Sequence, residues 1–322
     1  MSNVLITSAG RRVSLVRAFN KELKHLLPAS KVIVCDAVPQ LSSAAQVADA
    51  YFETYFVNND NYIENLLSKC IELNIALVIP TIDNELNLLA KNRKRFSEHN
   101  ISIVISDLEF IEMAKNKLRS NAFFEKHKIS TPAVYEKDDY KLPIYIKPLE
   151  GSNSVDNFVI MKKSDMLHQF YDDDNLFFSE YIDQENYDEF TCDLYYDKDS
   201  ELKCIIPRKR LEVRGGEVSK GLTQKNKIKE FIEEHMALLK GARGCVTMQL
   251  FMHNETEELK GIEINPRFGG GFPLTYLAGG NYPKWIIEEY LLNHDIDYFD
   301  DWEDNLLMLR YDEEIVIRDY EA

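Results

Sequence analysis

The sequence predicts an α/β fold over its first hundred residues and an α+β arrangement beyond them. Three observations carry this. Short apolar runs alternate with helical stripes as far as Ile105. After Ser130-Thr131-Pro132 the pattern changes to short strands with little helix between them. A polar stretch between two apolar arms over 245–264 reads as a β-hairpin.

Taken in order, Val4-Leu5-Ile6 is a strand, Ser8-Ala9-Gly10 a turn, and Leu15, Phe19, Leu23 and Leu26 recur at helical spacing. Lys31 to Cys35 forms a second strand ending at Asp36, and Tyr55-Phe56-Val57 a third. Ile63, Leu66, Leu67 and Ile71 stripe a helix before the apolar strand Ala76 to Ile79. Leu86, Leu89 and Phe96 stripe the next, before the strand Ile101 to Ile105. Such alternation builds an open parallel sheet. One helix is expected over 108–127, from Leu108, Ile111, Leu118 and Phe123. Strands follow at Ile144 to Lys147, Phe158 to Met161, Leu176 to Ser179, Phe190 to Tyr195 and Leu202 to Pro207. A helix from Ile228 to Lys240 leads into the hairpin, and the tail is helical at Lys284 to Leu292.

Composition narrows the function classes. The 322 residues carry 38 Lys plus Arg against 54 Asp plus Glu, a net charge of −16. That balance opposes nucleic acid and anionic membranes as partners, so any polyanion must meet a local basic cluster. The longest apolar run, Ile75 to Ile79, is far short of the roughly twenty residues a membrane span needs. The N-terminus has no signal-peptide pattern. Five scattered cysteines without a CxxC pair read as reduced, buried thiols of a cytoplasmic protein. The runs Asp172 to Asp174 and Asp300-Asp301 read as solvated loops.

The hairpin carries a metal argument. A turn centred at Thr256 places Gln249 opposite Glu263 and Thr247 opposite Asn265. Glu263 and Asn265 are two apart and share a face. One carboxylate with amide oxygens suits a hard cation that keeps phosphate and water ligands, namely Mg²⁺. Arg267 follows on that face, where it can meet a phosphate bidentately. The competing reading is a polar solvent face, and a one-residue shift would set Gln249 against Ile262. Lys147 ends a strand before Gly151-Ser152-Asn153-Ser154, as either a phosphate cradle or a snorkelling edge lysine. Arg208, Lys209, Arg210 and Arg214 crowd one stretch, with Arg208, Arg210 and Arg214 on one strand face. They bind an anion or pair with the chain's own carboxylates. Ser8 to Arg12 with Asp36 faintly resembles a dinucleotide turn but lacks its glycines.

Together these features resemble the ATP-grasp superfamily, and within it proteins like the large subunit of carbamoyl-phosphate synthase. The resemblance covers the whole chain and implies a Rossmann-like pre-ATP-grasp domain at 1–110, a small lid subdomain at 111–185 and a core subdomain with the metal site at 186–322. Asn116-Lys117 resembles the first phosphate-binding lysine, and Ile144 to Pro148 the second, Lys147. Ser179-Glu180-Tyr181-Ile182 resembles the adenine-holding linker, with Glu189 on the ribose. Gln249, Glu263 and Asn265 match the metal ligands, and Arg267 the phosphate-binding arginine of Glu-x-Asn-Pro-Arg. Gly151, Ser152 and Ser154 fall in the lid loop, which has fewer glycines than the family pattern. The resemblance further implies Arg208, Arg210 and Lys220 over the γ-phosphate or substrate, and Phe268 to Gly271 giving substrate a close approach. Thr81 to Glu85, at a strand end, takes either a substrate-side role or that of a helix cap.

The implied cofactors are ATP and Mg²⁺, with Mn²⁺ as a substitute. The implied activity is ligation of a small-molecule carboxylate to an amine through an acyl phosphate. Alternatives are a carbamoyl-phosphate-synthase-like enzyme acting on bicarbonate and a non-catalytic ATP-binding protein. The expected partners are small molecules, with no nucleic acid and no membrane; dimers are common in the family the chain resembles, so a homodimer is one open assembly, and the sequence does not fix the oligomeric state.

Overall fold

The computed structural model describes residues 2–150 and 157–320. Its first sheet is the expected parallel one. It comprises β1 (Asn3–Thr7), α1 (Val13–Leu26), β2 (Val32–Asp36), β3 (Ala50–Glu53), α2 (Tyr62–Glu72), β4 (Ile75–Ile79), α3 (Asp83–Ser97) and β5 (Ser102–Ile103). Strand order is β3-β2-β1-β4-β5, with every neighbouring pair parallel. All five residues of β1 are buried, as strands covered on both faces require. The order reverses direction between β1 and β4, and open sheets present ligands at the carboxyl ends of such a pair.

Tyr55-Phe56-Val57 is not the third strand. Ile33 pairs with Ala50 and Cys35 with Phe52, while Phe56 lies in the following loop, 67% exposed. An edge strand buries one face only, so its Ala-Tyr-Phe-Glu alternation gives a fainter signal than the apolar triplet beyond it. The helix expected over 108–127 is two, α4 (Leu108–Lys115) and α5 (Lys117–Lys126). Asn116 separates them with an extended backbone, and its Oδ1 accepts the N–H groups of Leu118 and Arg119 at 3.1 Å. That bond pair is an N-cap, and it starts a new helix at Lys117.

A four-stranded antiparallel sheet follows, in the order β6-β9-β7-β8. It is built from β6 (Val134–Tyr135), β7 (Ile144–Pro148), β8 (Phe158–Ile160), the short helix α6 (Gln169–Asp172) and β9 (Leu176–Glu180). The third sheet draws on β10 (Tyr187–Tyr196), β11 (Leu202–Arg214), β12 (Glu217–Thr223), β13 (Gly244–His253), β14 (Leu259–Asn265) and β15 (Leu307–Leu309). Between these come α7 (Lys227–His235), α8 (Phe272–Leu277) and α9 (Tyr282–Leu291). The order is β14-β13-β10-β11-β12-β15, all antiparallel. Pro207 does not end β11, which continues to Arg214 while the Pro207 carbonyl accepts from Gln224 N–H at 3.0 Å.

The parallel sheet and the six-stranded sheet share a core. Val4, Ile6, Leu77 and Ile79 pack with α1, with Tyr195, Cys204 and Ile206, and with Tyr282, Trp285 and Ile286 of α9. This common core sets the strand ends of one sheet against the polar face of the other. All five cysteines are free and buried. Among the described residues no helix is long and apolar enough to cross a membrane.

Candidate active site

The β13–β14 hairpin pairs Thr247 with Asn265 and Gln249 with Glu263, the register expected from a turn at Thr256. It reaches that register indirectly. Nearer the turn, Leu250 pairs with Gly261 and Met252 with Leu259, one residue out of step. Ile262 is the extra residue between the two registers, a β-bulge. Without it Gln249 would face Ile262, and the three polar side chains would not converge. Asn265 Nδ2 donates to Glu263 Oε1 at 2.6 Å, which uses the amide's donor side and leaves its oxygen available as a ligand atom.

Gln249, Glu263 and Asn265 line a cavity of about 420 Å³ walled by the four- and six-stranded sheets. Lys117, Lys147, Glu180, Tyr181, Ile182, Glu189, Arg208, Arg210 and Arg267 line the same cavity. Gly151, Ser152 and Ser154 lie outside the described residues. Lys220 does not join this group. It stands opposite Glu212 on the β11–β12 ladder and donates to that carboxylate at 2.6 Å, half exposed. Arg214 also leaves the face of Arg208 and Arg210. Register shifts between Arg210 and Val213 break the strand alternation, and Arg214 pairs with Asp312 at 2.7 Å on the surface.

The arginines are held by the chain's own carboxylates and still face the cavity. Arg208, 1% exposed, donates from Nε to Asp193 Oδ2 at 3.0 Å, and Asp193 is itself fully buried. Asp193 also accepts from Thr275 Oγ1 at 2.6 Å and Thr247 Oγ1 at 3.2 Å. Arg210 Nη1 meets Glu189 Oε1 at 2.6 Å. Burial raises the Glu189 carboxyl, though Arg210 pulls it back. Arg267 Nη2 reaches Asp83 Oδ2 at 2.8 Å, tying β14 to α3. Burial works to lower the Arg267 guanidinium, and Asp83 more than offsets it, so the group sits above its ordinary value. Nε of Arg210 and of Arg267 are buried without a hydrogen-bond partner among the described residues, which marks donors suited to an anion.

The lysines are held differently. Burial, then the positive charge of Lys117, pushes the Lys147 ammonium down to about 8. It lies 5.2 Å from the centre of the Phe177 ring. Lys117 is lowered too, chiefly by burial. A bound phosphate would reverse both shifts by favouring the charged form. Among the described residues no three His, Cys, Asp or Glu side chains gather to hold a metal. The donor set here, one carboxylate and two amide oxygens, fits a cation whose remaining ligands come from phosphates and water.

Several residues at the site escape sequence reading. Arg12, Glu217 and Thr247 line the cavity, and Asp193 anchors Arg208. Thr247 enters the sequence reading only as the partner of Asn265 and Arg12 only within the turn after the first strand, while Asp193 leaves a trace as a charged residue inside the apolar strand Cys192-Asp193-Leu194. Gly271 is required where it stands, because a Cβ there would lie 2.1 Å from Arg208 Nη1. The turn after β1 is filled by its own chain. Gly10 N–H donates to Asp36, and Gly10 O accepts from Ala44 N and Ser42 Oγ. In Thr81 to Glu85 the cap reading holds for Glu85. This buried carboxylate accepts from Thr81 N, Ile82 N, Thr7 Oγ1, Ser8 Oγ and Tyr62 OH. In that stretch Asp83 pairs with one cleft cation, Arg267, and the Thr81 carbonyl accepts from another, Arg12.

Comparison with known proteins bears on this arrangement. Residues 4–104 match the family model described as PylC-like, N-terminal domain, and residues 173–311 match ATP-grasp in the biosynthetic pathway with Ter operon. No curated protein sequence matches the chain. Among solved structures, the chain is similar to the biotin carboxylase domain of Hydrogenobacter thermophilus 2-oxoglutarate carboxylase, solved as a dimer with MgADP, ADP and bicarbonate. The TM-score is 0.71 at 16% identity, over 95% of this chain and 73% of that one. It is similar to Campylobacter jejuni biotin carboxylase at a TM-score of 0.72 and 12% identity, over 95% and 74%. It is also similar to Staphylococcus aureus N5-carboxyaminoimidazole synthetase complexed with ADP, at 0.67 and 13%, over 96% and 80%. At these identities the likeness is one of fold. Family models thus match residues 4–104 and 173–311, the second of them an ATP-grasp model, and the fold along the chain is that of the biotin carboxylases and the N5-carboxyaminoimidazole synthetase.

Proposed function

We propose that the protein is an ATP- and Mg²⁺-dependent ligase that phosphorylates a small-molecule carboxylate to an acyl phosphate and transfers the acyl group to an amine. The observation that carries this is the pairing of Gln249 with Glu263, in the cavity that also holds Asn265, Arg267, Lys117 and Lys147. Lys117, Lys147 and Arg267 hold the phosphates, and Glu180, Tyr181, Ile182 and Glu189 hold the adenosine. Gln249, Glu263 and Asn265 hold Mg²⁺, which when bound neutralises charge on the phosphates. Arg208 and Arg210 face the γ-phosphate or the acid. The three sheets support a division of the chain near residues 110 and 185.

The chemistry balances without further reactants. A carboxylate oxygen bonds to the γ-phosphorus and the bond to ADP breaks. The amine nitrogen then bonds to the acyl carbon, phosphate leaves, and the nitrogen gives up a proton. The protein's part is to place the reactants and stabilise the transferring charge. A cytoplasmic location is supported by the five free, buried cysteines, and a homodimer by the dimeric Hydrogenobacter domain.

ADP release across a panel of acids and amines, with mass spectrometry of products, tests the proposal. Release requiring both an organic acid and an amine is the expected result. A second reading, bicarbonate activated through carboxyphosphate, is favoured by the bicarbonate bound in the Hydrogenobacter domain and predicts release that requires bicarbonate. Binding of Mg-ATP with no release in any combination would leave a non-catalytic nucleotide-binding protein.

A further inference from the structure

Four arginines line the cleft: Arg12, Arg208, Arg210 and Arg267. Three have carboxylate partners, Asp193 at 2.9 Å, Glu189 at 2.6 Å and Asp83 at 2.8 Å. Arg12 has none within ion-pair range among the described residues. Its hydrogen bond runs from Nη2 to the carbonyl of Thr81 at 3.0 Å, and a guanidinium has further donors in a rigid fork. Glu217 also lines the cleft, but Arg310 Nη1 already holds it at 3.0 Å. Burial, and then the positive charge of Arg267, pushes Arg12 down to about 10. Arg12 is partly buried and its carboxylate neighbours lie beyond ion-pair range, so a ligand anion within reach of the fork stabilises it.

The position of Arg12 says which anion. It follows β1, and Thr81 follows β4, so the pair stands where strand order reverses in the parallel sheet. Its charged neighbours are Arg267, Glu217, Asp83 and Glu85. The metal-side carboxylate Glu263 instead acts on Lys117, Lys147 and Arg267. Arg12 thus belongs to a second charge cluster, joined to the phosphate cluster through Arg267 and Asp83. The Gly269 to Gly271 run lines the same cleft. There Gly270 packs so closely on Glu217 that a Cβ would lie 2.7 Å from its Cδ, so the Glu217 carboxylate rests against the glycine run.

We propose that Arg12 binds a second, non-reacting anionic group of the acid substrate. The substrate class is then a small acid with two anionic groups, one carboxylate activated beside the metal ligands and the other anion held by the Arg12 fork. This rests on the ligase reading above.

Calorimetry on the whole protein tests it in two stages. Mg-ADP is titrated first, and a protein that binds none fails the nucleotide reading itself. The Mg-ADP complex is then titrated with succinate, glutarate and L-glutamate, each against its mono-amide, succinamate, glutaramate and L-glutamine. The expected result is at least one dianion binding about ten- to a hundredfold tighter than its amide, the scale of one charge-assisted contact. In Arg12→Gln that preference disappears while Mg-ADP affinity stays; Arg12→Lys keeps the charge and retains part of it. Mg-ADP binding with no dianion preferred in the wild type, or a preference that survives in Arg12→Gln, overturns the assignment and leaves the nucleotide site standing.

Discussion

The two walls of the cleft hold their cations in opposite ways. On the six-stranded wall, Arg208 and Arg210 are compensated at short range by Asp193 and Glu189, and Arg267 on the loop after β14 by Asp83. On the other wall Lys147 of β7, with Lys117 from the start of α5 beside it, is desolvated and shifted downward. The arginines are thus preorganised by the chain's own carboxylates. Burial holds both lysines below their ordinary values, a shift that a phosphate reverses. One wall provides shape and the other a charge deficit tuned to a polyanion, which explains how a chain of net charge −16 accommodates one.

The sharpest way to break this contrast is to remove a carboxylate from the arginine wall. Asp193→Ala strands Arg208 in the core and should cost about 3–5 kcal/mol in urea unfolding. A loss under 1 kcal/mol would show that Arg208 does not depend on Asp193. The lysine wall is tested by pH. The folded Lys147 ammonium titrates near 8 against an ordinary 10.5. Its folded value is therefore below its unfolded one, so its destabilising effect is fully present below pH 8 and fades as pH rises toward 10.5. Phosphate binds the charged form, so the Kd for Mg-ADP should rise above pH 8 by up to about tenfold per pH unit. In Lys147→Arg the break should vanish, and a wild-type profile flat to pH 10 would refute the shift. The smallest effect is expected at Lys220, whose partner Glu212 is solvent-exposed. Lys220→Ala should leave ADP release within about twofold and stability within about 0.5 kcal/mol. A tenfold loss of activity would return Lys220 to the site.

Sequence reading reached some of this and missed other parts for identifiable reasons. The apolar runs of β1, β2 and β4 and the stripes of α1 and α3 are legible because both faces of each strand, and one face of each helix, are buried. β3 escaped because an edge strand alternates, and the break at Asn116 because the apolar pattern continues through it while a single cap bond decides the start of α5. The register of Gln249 with Glu263 was legible, although its cause, the bulge at Ile262, was not. Glu217 carries no local signal, and Arg12 enters only as part of the turn after the first strand; packing of the parallel sheet's loops onto the antiparallel sheet brings Arg12 to the cleft. The resemblance alone put Lys220 over the γ-phosphate or substrate, whereas its ladder position opposite Glu212 gives it a partner on the surface.

The most direct test is calorimetric titration of ADP with and without Mg²⁺, in the wild type and in Glu263→Ala. A metal site on Glu263 predicts that Mg²⁺ strengthens ADP binding about tenfold or more in the wild type, and that Glu263→Ala loses both this gain and ADP release. Glu263→Ala protein with the full Mg²⁺ enhancement and the wild-type rate would contradict it.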